Sequence, residues 1–447
     1  MKNNTSEYFV GIDLGTSSIS GIIYDYVSKE TASITKTNSA TIKSENEWES
    51  LQDPDVIYSL AAEILQEFNA KYTGIKGIGF TGQMHGMLYV DSDGNAVSPL
   101  YTWQDNRGAQ IYKDQKSYVD ILSEQTNLKL ATGFGLVTHF YNLITNNIPE
   151  KAHKLCTIMD YVAMRVTATI APVIDYSNAA SLGFFDKKLL CFDLKSLNKV
   201  GIDLSILPEI KPSASYIGKY SNEIPVYSAI GDNQAAFLGS VKDISNSIHI
   251  TIGTSSQLSV YTSDFIEING LDTRPFPGGG YILVGAGLCG GKSFSILKTF
   301  FEETLKLFTN AQMQETDLYK IMTSIDYTNK ESNLPIVHTT FNGTRQKPLE
   351  RGSITNISMS NFSPEYLILG FVDGICNEMF DFYKQLPEHI QHKSSIIIGS
   401  GNAIRNNQLL RKSIEKQFNM NLHIPTNMEE AAFGACICAV LGSGYSN

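Results

Sequence analysis

The stretch VGIDLGTSS, residues 10–18, closes an apolar run with a glycine and three small hydroxyl side chains. A similar stretch returns far along the chain as IHITIGTSS, residues 248–256. The β-branched, apolar residues before each GTSS predict a strand, and Gly with Thr and Ser predicts a tight turn after it. One difference stands out in register, because Asp13 of the first copy is replaced by Thr251 in the second. The sequence therefore predicts two related strand-turn units, only one of which has a carboxylate at this position.

Length and composition restrict the class of protein. A chain of 447 residues exceeds one ordinary core, so two domains are expected, and 42% hydrophobic with 18% charged residues is typical of a folded protein. The net charge of −10 argues against nucleic-acid or membrane partners. No apolar run reaches membrane-spanning length and the first residues are polar, which favours the cytoplasm. The six cysteines and eight histidines are dispersed, so neither a disulfide framework nor a His/Cys metal cage is expected.

The order of predicted elements repeats in the two halves. The first 80 residues predict strands YFVGIDL, SISGIIYD and TASITKT, then a helix capped by Asp53 with Pro54 in its first turn, then the strand KGIGFTG. After residue 224 comes a comparable series of strands and helices, with a boundary expected near 225–245. We therefore predict an N-terminal domain over residues 1–240 and a C-terminal domain over residues 241–447.

The two GTSS turns suggest phosphate binding. Backbone N–H groups and hydroxyls at such a turn suit a polyphosphate, and the recurrence of the turn points to two related domains that hold one nucleotide. Asp13 would hold a single Mg²⁺ through its water shell, since Mg²⁺ gives up water reluctantly. A third Gly-rich turn, IIIGSGNAIRNN at 396–407, follows a strand and can accept a base and ribose against bare backbone.

Together these motifs resemble the FGGY carbohydrate kinases. The resemblance runs nearly end to end and includes, besides the three turns, the segments ENEWESLQDPDVI (45–57), FTGQMHGMLYVDSDG (80–94), YTWQDNRG (101–108) and SAIGDNQAAFLGS (228–240). Ser50 and Leu51 depart from the family's Trp-x-Glu-Gln-Asp-Pro pattern. Segments 159–186 and 272–294 resemble the subgroup that phosphorylates sedoheptulose, whereas the GQMHG turn is shared with xylulose kinases.

The resemblance implies a fold and a reaction. The fold is the α/β, two-domain actin-like ATPase (ribonuclease H-like) fold, with the active site in the interdomain cleft. The reaction is ATP-dependent and Mg²⁺-dependent phosphorylation of the terminal hydroxyl of a ketose, with sedoheptulose expected and xylulose or another pentulose as the alternative. Sugar and ATP are the expected partners of a monomer or homodimer.

The resemblance also assigns roles to residues. Asp232 is the expected catalytic base and also a sugar contact, and Asp13 is the expected metal residue. The other expected ATP-binding residues are Gly15, Thr16, Ser17, Ser18, Gly253, Thr254, Ser255, Gly291, Gly399, Gly401 and Asn402. The other expected sugar-binding residues are Gln83, Met84, His85, Trp103, Asp105, Arg107 and Asn233.

Several alternatives remain open in the sequence. AGLCGGKS (286–293) fits a relaxed Walker A pattern in which Lys292 would contact phosphates, although its first residue is Ala286 and no Walker B aspartate is evident. Asp232 alone would read as an ordinary helix N-cap, and His85 and Trp103 as structural core residues. A non-catalytic sensor that binds ATP and sugar is the alternative of a different class, but it would be expected to lose Asp13 or Asp232.

Overall fold

The computed structural model describes residues 6–221, 223–309, 315–326, 333–344, 347 and 349–445. The chain forms two compact units. The first contains residues 1–239, 274–280 and 427–447, and the second contains residues 240–273 and 281–426. The predicted division after residue 240 stays a prediction, and the structure adds that two later segments return to the first unit.

The first unit is built on a six-stranded sheet in the order β16-β17-β6-β1-β2-β3. The hairpin β1–β2 and the pair β2–β3 are antiparallel, whereas β6 lies parallel to β1 and β17 lies parallel to β6. The strands of this sheet are β1 (Tyr8–Leu14), β2 (Ser18–Asp25), β3 (Thr31–Thr37), β6 (Ile75–Gly82), β16 (Tyr216–Tyr220) and β17 (Ile224–Tyr227).

Shorter elements complete the first unit. Its remaining strands are β4 (Thr41–Ile42), β5 (Leu51–Gln52), β7 (Leu88–Val90), β8 (Leu100–Tyr101), β9 (Ile111–Lys113), β10 (Lys116–Ser117), β11 (Lys154–Cys156), β12 (Val173–Asp175), β13 (Phe185–Asp186), β14 (Cys191–Phe192) and β15 (Glu209–Lys211). Its helices are α1 (Pro54–Lys71), α2 (Tyr118–Thr126), α3 (Gly135–Ile144), α4 (Ile158–Val166), α5 (Tyr176–Leu182), α6 (Leu194–Lys199), α7 (Asp232–Ser240) and the C-terminal Glu430–Gly442, with 3₁₀ turns at Arg107–Ala109 and Leu204–Ile206.

The C-terminal helix covers the middle of this sheet. It approaches so closely that a Cβ on Gly11 of β1 would lie 1.9 Å from the carbonyl oxygen of Ala432, and one on Gly79 of β6 would lie 2.0 Å from that of Ala435. Only glycine permits backbone contact of this kind. The last helix of the chain is therefore an integral part of the first unit.

The second unit repeats five strands of the first sheet in the same order, while its sixth strand, β20, lies at the end opposite to that of β16. Its six-stranded sheet runs β20-β21-β19-β18-β24-β25, in which β18–β19 and β19–β21 are antiparallel while β24 is parallel to β18 and β25 to β24. The strands are β18 (Ser247–Ile252), β19 (Ser256–Thr262), β20 (Asp272–Pro275), β21 (Tyr281–Gly287), β22 (Ile336–His338), β23 (Ser353–Thr355), β24 (Ile396–Ser400) and β25 (Asn421–His423). The helices are α8 (Gly290–Thr309), α9 (Glu315–Thr323), α10 (Pro364–Lys384), α11 (Glu388–Lys393), α12 (Asn402–Asn406) and α13 (Gln408–Phe418), so that Glu430–Gly442 is α14.

Local sequence signals account for most of these elements. Asp53 caps α1 by accepting from the N–H groups of Asp55 and Val56, and Pro54 occupies the first turn, as predicted. The helical pattern of NAIRNNQLLRKSIEKQF predicts one helix, but the structure has two, because Asn407 interrupts it in an extended conformation and caps α13. Among the described residues, no helix is long and apolar enough to cross a membrane.

Candidate active site

Polar residues of the first unit gather at one edge of its sheet. Because β17, β6 and β1 are parallel, their carboxyl ends lie side by side. Asp13 lies near the end of β1, Gln83 follows β6, and Asp232 follows the loop after β17. The loop is fixed to the sheet by a hydrogen bond of 3.0 Å from the N–H of Ile230 to the carbonyl of Phe80. Such an edge is where open α/β sheets bind ligands.

The first GTSS turn is held by its carbonyl oxygens. Asn38 donates its side-chain amide to the Gly15 carbonyl at 3.0 Å, and its backbone N–H to the Ser17 carbonyl at 3.0 Å. The carbonyl of Thr16 accepts from Nε2 of Gln52 at 2.9 Å. With these carbonyls bound to protein donors, the turn has the order that an anion site at a strand end requires.

Gln52 also links this turn to the predicted sugar residues. The buried side chain of Gln83 donates to Oε1 of Gln52 at 2.7 Å, and the hydroxyl of Thr16 lies 3.5 Å from Oε1 of Gln83. The indole N–H of Trp103 donates to the Thr16 hydroxyl at 3.1 Å. The Trp103 side chain is 46% exposed, which does not fit the alternative that it is a core residue. Gln52, Gln83, Thr16 and Trp103 thus form one network.

The Gln83-Met84-His85 turn has an unusual backbone. His85 has φ of 75°, a conformation that non-glycine residues rarely adopt and that is common at functional sites. Its ring stacks on Phe134 at 4.9 Å, and its Nδ1 lies 2.9 Å from the carbonyl of Ser181. A carbonyl only accepts, so Nδ1 must carry the proton, and in the neutral ring Nε2 is then the acceptor. The geometry makes His85 a fixed ring rather than a mobile one.

Asp232 is the first residue of α7 and is positioned by a buried polar network. Ser177 accepts the N–H of Gly231 at 2.9 Å, and the Ser177 hydroxyl in turn donates to the Asp175 carboxylate at 2.7 Å. A Cβ on Gly231 would lie 2.6 Å from Cε of Met84, so the side chain of Met84 packs closely against this loop. Burial raises the pKa of Asp232 to about 6, while the Arg274 guanidinium and the Asn233 N–H oppose the rise. The carboxylate is therefore ionised near pH 7.

Asp13 lies in strongly negative surroundings. Burial, followed by the charges of Asp232 and Glu429, raises the pKa of Asp13 to about 7. Glu429, which immediately precedes α14, accepts a hydrogen bond of 3.3 Å from the hydroxyl of Thr35. Among the described residues, no three His, Cys, Asp or Glu side chains are grouped as a direct metal cage. A hydrated Mg²⁺ suits such a site, since it keeps several waters and balances excess negative charge.

Asp105 and Arg107 face each other in the interior. Both side chains are almost fully buried, at 0% and 3% exposure. Nε of Arg107 donates to Asp105 Oδ1 at 2.6 Å and Nη2 to Oδ2 at 3.1 Å, while Nη1 and a further Nη2 contact reach Asn142 and Glu49. The guanidinium also lies 4.0 Å from the ring centroid of Tyr101. Sugar binding by this pair remains a prediction, and its observed partners are protein groups.

The second GTSS turn is supported by neutral groups. His249 and Thr251 both lie on β18, and Nε2 of His249 is 2.9 Å from the hydroxyl of Ser400 on β24. The Thr251 hydroxyl is 2.8 Å from the same oxygen and 3.3 Å from His249 Nε2. Burial lowers the pKa of His249 to about 4, so the ring is neutral at pH 7. This trio joins the strand before the second GTSS turn to the strand before the predicted adenosine turn.

The predicted nucleotide residues of the second unit lie at the ends of the strands that carry this trio. Gly253, Thr254 and Ser255 form the turn after β18, and Gly399, Gly401 and Asn402 form the passage from β24 to α12. Gly291, in the first turn of α8, donates its N–H to the Gly253 carbonyl at 2.9 Å, and a Cβ there would lie 2.3 Å from that oxygen. The predicted ATP-binding residues of this unit are thus neighbours.

The Walker A alternative finds no support in the geometry. The side chain of Lys292 is exposed on α8, and its backbone N–H donates to the Thr254 carbonyl at 3.1 Å. In a Walker A motif the hydroxyl of Ser293 would bind Mg²⁺. Here Ser293 is fully buried and its hydroxyl donates to the Cys289 carbonyl. The segment is the start of a helix packed on the second GTSS turn.

Sequence reasoning missed four residues: Gln52, Glu429, His249 and Arg274. Their contacts join segments far apart in the chain, so no local pattern marks them. Gln52 and His249 lay inside quoted motifs and Arg274 inside the segment 272–294, but only their polar or charged side chains within otherwise apolar or strand-like stretches could have marked them.

Comparisons with known proteins identify the family of this chain. Residues 8–239, slightly more than half of the chain, match the model of the FGGY family of carbohydrate kinases, N-terminal domain. Mouse sedoheptulokinase is 27% identical over 96% of each chain, and glycerol kinase of Vibrio parahaemolyticus is 27% identical over 99% of this chain and 90% of its own. The crystal structure of gluconate kinase from Lactobacillus acidophilus covers 98% of this chain and 90% of its own with a TM-score of 0.82 at 20% identity.

The family match has direct consequences for fold and activity. The likeness to solved structures confirms the predicted α/β, actin-like ATPase fold. The family match extends through β1, the GQMHG turn and α7, the elements that carry Asp13, Gln83 and Asp232. The chain therefore belongs to the FGGY family and is a carbohydrate kinase.

Proposed function

We propose that this kinase transfers the γ-phosphoryl group of ATP to the terminal hydroxyl of a ketose, and that sedoheptulose is the substrate it converts to sedoheptulose 7-phosphate. The observation that carries the proposal is the similarity to a mouse protein named sedoheptulokinase over 96% of both chains. A cytoplasmic location, where ATP is available, belongs to the same proposal.

In this proposal Asp232 is the general base. Its carboxylate, ionised near pH 7, accepts the proton of the attacking hydroxyl as the oxygen attacks the γ-phosphorus. The Gly231–Ser177–Asp175 network fixes the loop that presents it. Phosphoryl transfer asks mainly for positioning and charge stabilisation, so a rigid base is the useful contribution here.

The sugar would be held by the residues around this base. Gln83 and Asn233 offer amide groups, His85 offers a fixed ring, and the exposed indole of Trp103 offers a flat apolar surface. A polyhydroxy ketose needs several hydrogen-bond partners and one apolar face, and these side chains provide them. Asp105 and Arg107 would act by holding the loop after Trp103 in place.

The two GTSS turns would bind phosphate oxygens, and the Gly399–Asn402 turn with Gly291 would border the adenosine. Asp13, with Glu429 nearby, would hold Mg²⁺ through its water shell, and the ion would supply charge neutralisation for the phosphates. The proposed cofactors are thus ATP and Mg²⁺, and the protein residues supply the backbone donors and the carboxylate.

A coupled assay of ADP release across a panel of acceptors tests the proposal. The panel contains sedoheptulose, D-xylulose, L-ribulose, D-ribulose and glycerol, with Mg²⁺ and ATP held constant. We expect sedoheptulose to have the highest kcat/KM. An advantage of tenfold or more for a pentulose or glycerol would refute this substrate but not the kinase activity, and preparations of Asp232→Asn serve as the blank for contaminating kinases.

A further inference from the structure

A short hairpin from the middle of the chain packs on the catalytic helix. Residues 274–280 belong to the first unit although residues of the second unit flank them on both sides. Arg274 Nη1 donates to Asn233 Oδ1, the Gln234 side chain donates to the Pro275 carbonyl at 3.1 Å, and the Phe276 ring meets Phe237 edge-on at 5.5 Å. Three consecutive hairpin residues therefore hold α7 within two turns of Asp232.

We propose that Arg274 is a positioning residue of the sugar site: by holding Oδ1 of Asn233, it presents the Asn233 amide group to the substrate as a hydrogen-bond donor. This inference deepens the proposed function and rests on it, since it concerns how the same site recognises a ketose. The substrate atoms it addresses are acceptors, either the carbonyl oxygen or a hydroxyl oxygen.

The chemistry of arginine fixes the direction of the amide. A guanidinium has five donors and no acceptor, so the Asn233 atom that it contacts must be the oxygen. The amide nitrogen with its two donors then occupies the other branch of the side chain. Arg274 is only 6% exposed, so water competes little for its contact with Asn233.

The charge of Arg274 serves the same site. Burial raises the pKa of the neighbouring Asp232, and the guanidinium of Arg274 lowers it. Asp13 and Glu429 add negative charge at the same edge of the sheet. An aspartate at position 233 would also pair with Arg274, but it would offer the substrate no donor. Asparagine is thus the residue that satisfies both the arginine and an accepting sugar oxygen.

The test uses four variants of the full-length enzyme, assayed with the best acceptor of the panel. Arg274→Met removes the contact, Arg274→Lys keeps the charge, and Asn233→Asp keeps the contact with Arg274 but removes the donors. Phe276→Leu is the matched control, because it weakens packing of the same hairpin on the same helix without touching Asn233. KM for sugar, KM for ATP, kcat and Tm are measured for each.

We expect Arg274→Met to raise the sugar KM about tenfold with the ATP KM within twofold of wild type, and Arg274→Lys to recover part of the loss. Asn233→Asp should raise the sugar KM by at least as much while keeping its Tm. Phe276→Leu should lower Tm with both KM values nearly unchanged. An unchanged sugar KM in Asn233→Asp, or equal effects of Arg274→Met and Phe276→Leu on both KM values, would overturn the inference.

A thermal double-mutant cycle separates this inference from the substrate assignment. If Arg274 and Asn233 are in contact, the Tm loss of the Arg274→Met, Asn233→Ala double variant should be smaller than the sum of the single losses. Additive losses would refute the contact itself. If the wild-type enzyme phosphorylates no ketose, the proposed function fails, while the cycle still decides whether Arg274 holds the amide.

Discussion

The two GTSS turns share a fold but differ in charge. Each follows the first strand of a sheet with the same order of antiparallel and parallel neighbours, yet Asp13 beside the first turn lies near two further carboxylates, whereas Thr251 beside the second lies in a neutral trio with His249 and Ser400. A second cluster of carboxylates would repel phosphates, which are already negative. The difference teaches that two copies of one strand-turn unit can differ in charge, which in the proposed function would place Mg²⁺ near the first turn and leave the second turn without a metal.

The largest expected effect comes from replacing Asp232, the proposed general base of the first unit. Asp232→Asn keeps shape and hydrogen bonding but removes the proton acceptor, so kcat should fall by about 10²–10⁴-fold in the coupled assay. The matched control is Asp53→Asn at the cap of α1, because asparagine caps a helix about as well as aspartate and activity should not change. A mutant that keeps more than about a tenth of wild-type kcat would show that Asp232 is not the base.

Acid pH should also lower activity, because it protonates Asp232. The base works only when ionised, and the pKa of Asp232 is raised to about 6, so kcat/KM should be level above pH 7 and fall as pH decreases through about 6. Measuring kcat/KM for sugar between pH 5 and 8 at saturating Mg²⁺ checks this. A profile that stays flat down to pH 5 would contradict the raised pKa.

The next effect concerns the metal. Asp13→Asn should raise the Mg²⁺ concentration for half-maximal activity by about 10–100-fold, the usual cost of losing a group that orients a metal's ligands. The sugar KM should scarcely move. Thr251→Val, at the corresponding position of the second turn, is the control and should leave the Mg²⁺ requirement unchanged. Similar shifts in both variants would contradict the proposed placement of Mg²⁺ near the first turn.

A smaller effect is expected from the neutral trio His249, Thr251 and Ser400 of the second unit. His249→Leu removes one buried hydrogen bond between the two strands that precede the predicted nucleotide turns. We expect the ATP KM to rise about two- to tenfold, which corresponds to the loss of one such bond. The sugar KM should remain as in wild type. His423→Leu, exposed on the edge strand β25, is the control from the same sheet. Loss of sugar affinity in His249→Leu would mean that the trio supports more than the nucleotide turns.

The smallest effect is expected at Lys292. Its side chain is exposed, so Lys292→Ala should change kcat by well under tenfold. A true P-loop lysine stabilises charge in the transition state, and its loss would cost on the order of 10²–10³-fold. A loss of that size would revive the Walker A alternative.

The sequence predicted what is local and could not predict what is distant. The strands around both GTSS turns and the capped helix α1 each carry their signal within a few residues. Arg274 is 41 positions from Asn233, and Ser400 is 151 positions from His249, so their pairing depends on how the chain returns to a sheet. The acidic surroundings of Asp13 were missed in the same way, because Glu429 reaches it from the far end of the chain.

The close packing of α14 on β1 and β6 has a consequence for folding during protein synthesis. On the ribosome, the strands of the first unit emerge first, but the helix that covers them is made after more than 400 other residues, including the whole second unit. Domains that fold as they emerge normally do so from the N-terminus. Here the face of the sheet that α14 covers stays exposed until α14 has been synthesised. During that time the nascent chain is open to aggregation or to binding by chaperones. A premature stop just after residue 426 would leave the second unit whole and the earliest-made unit unfinished.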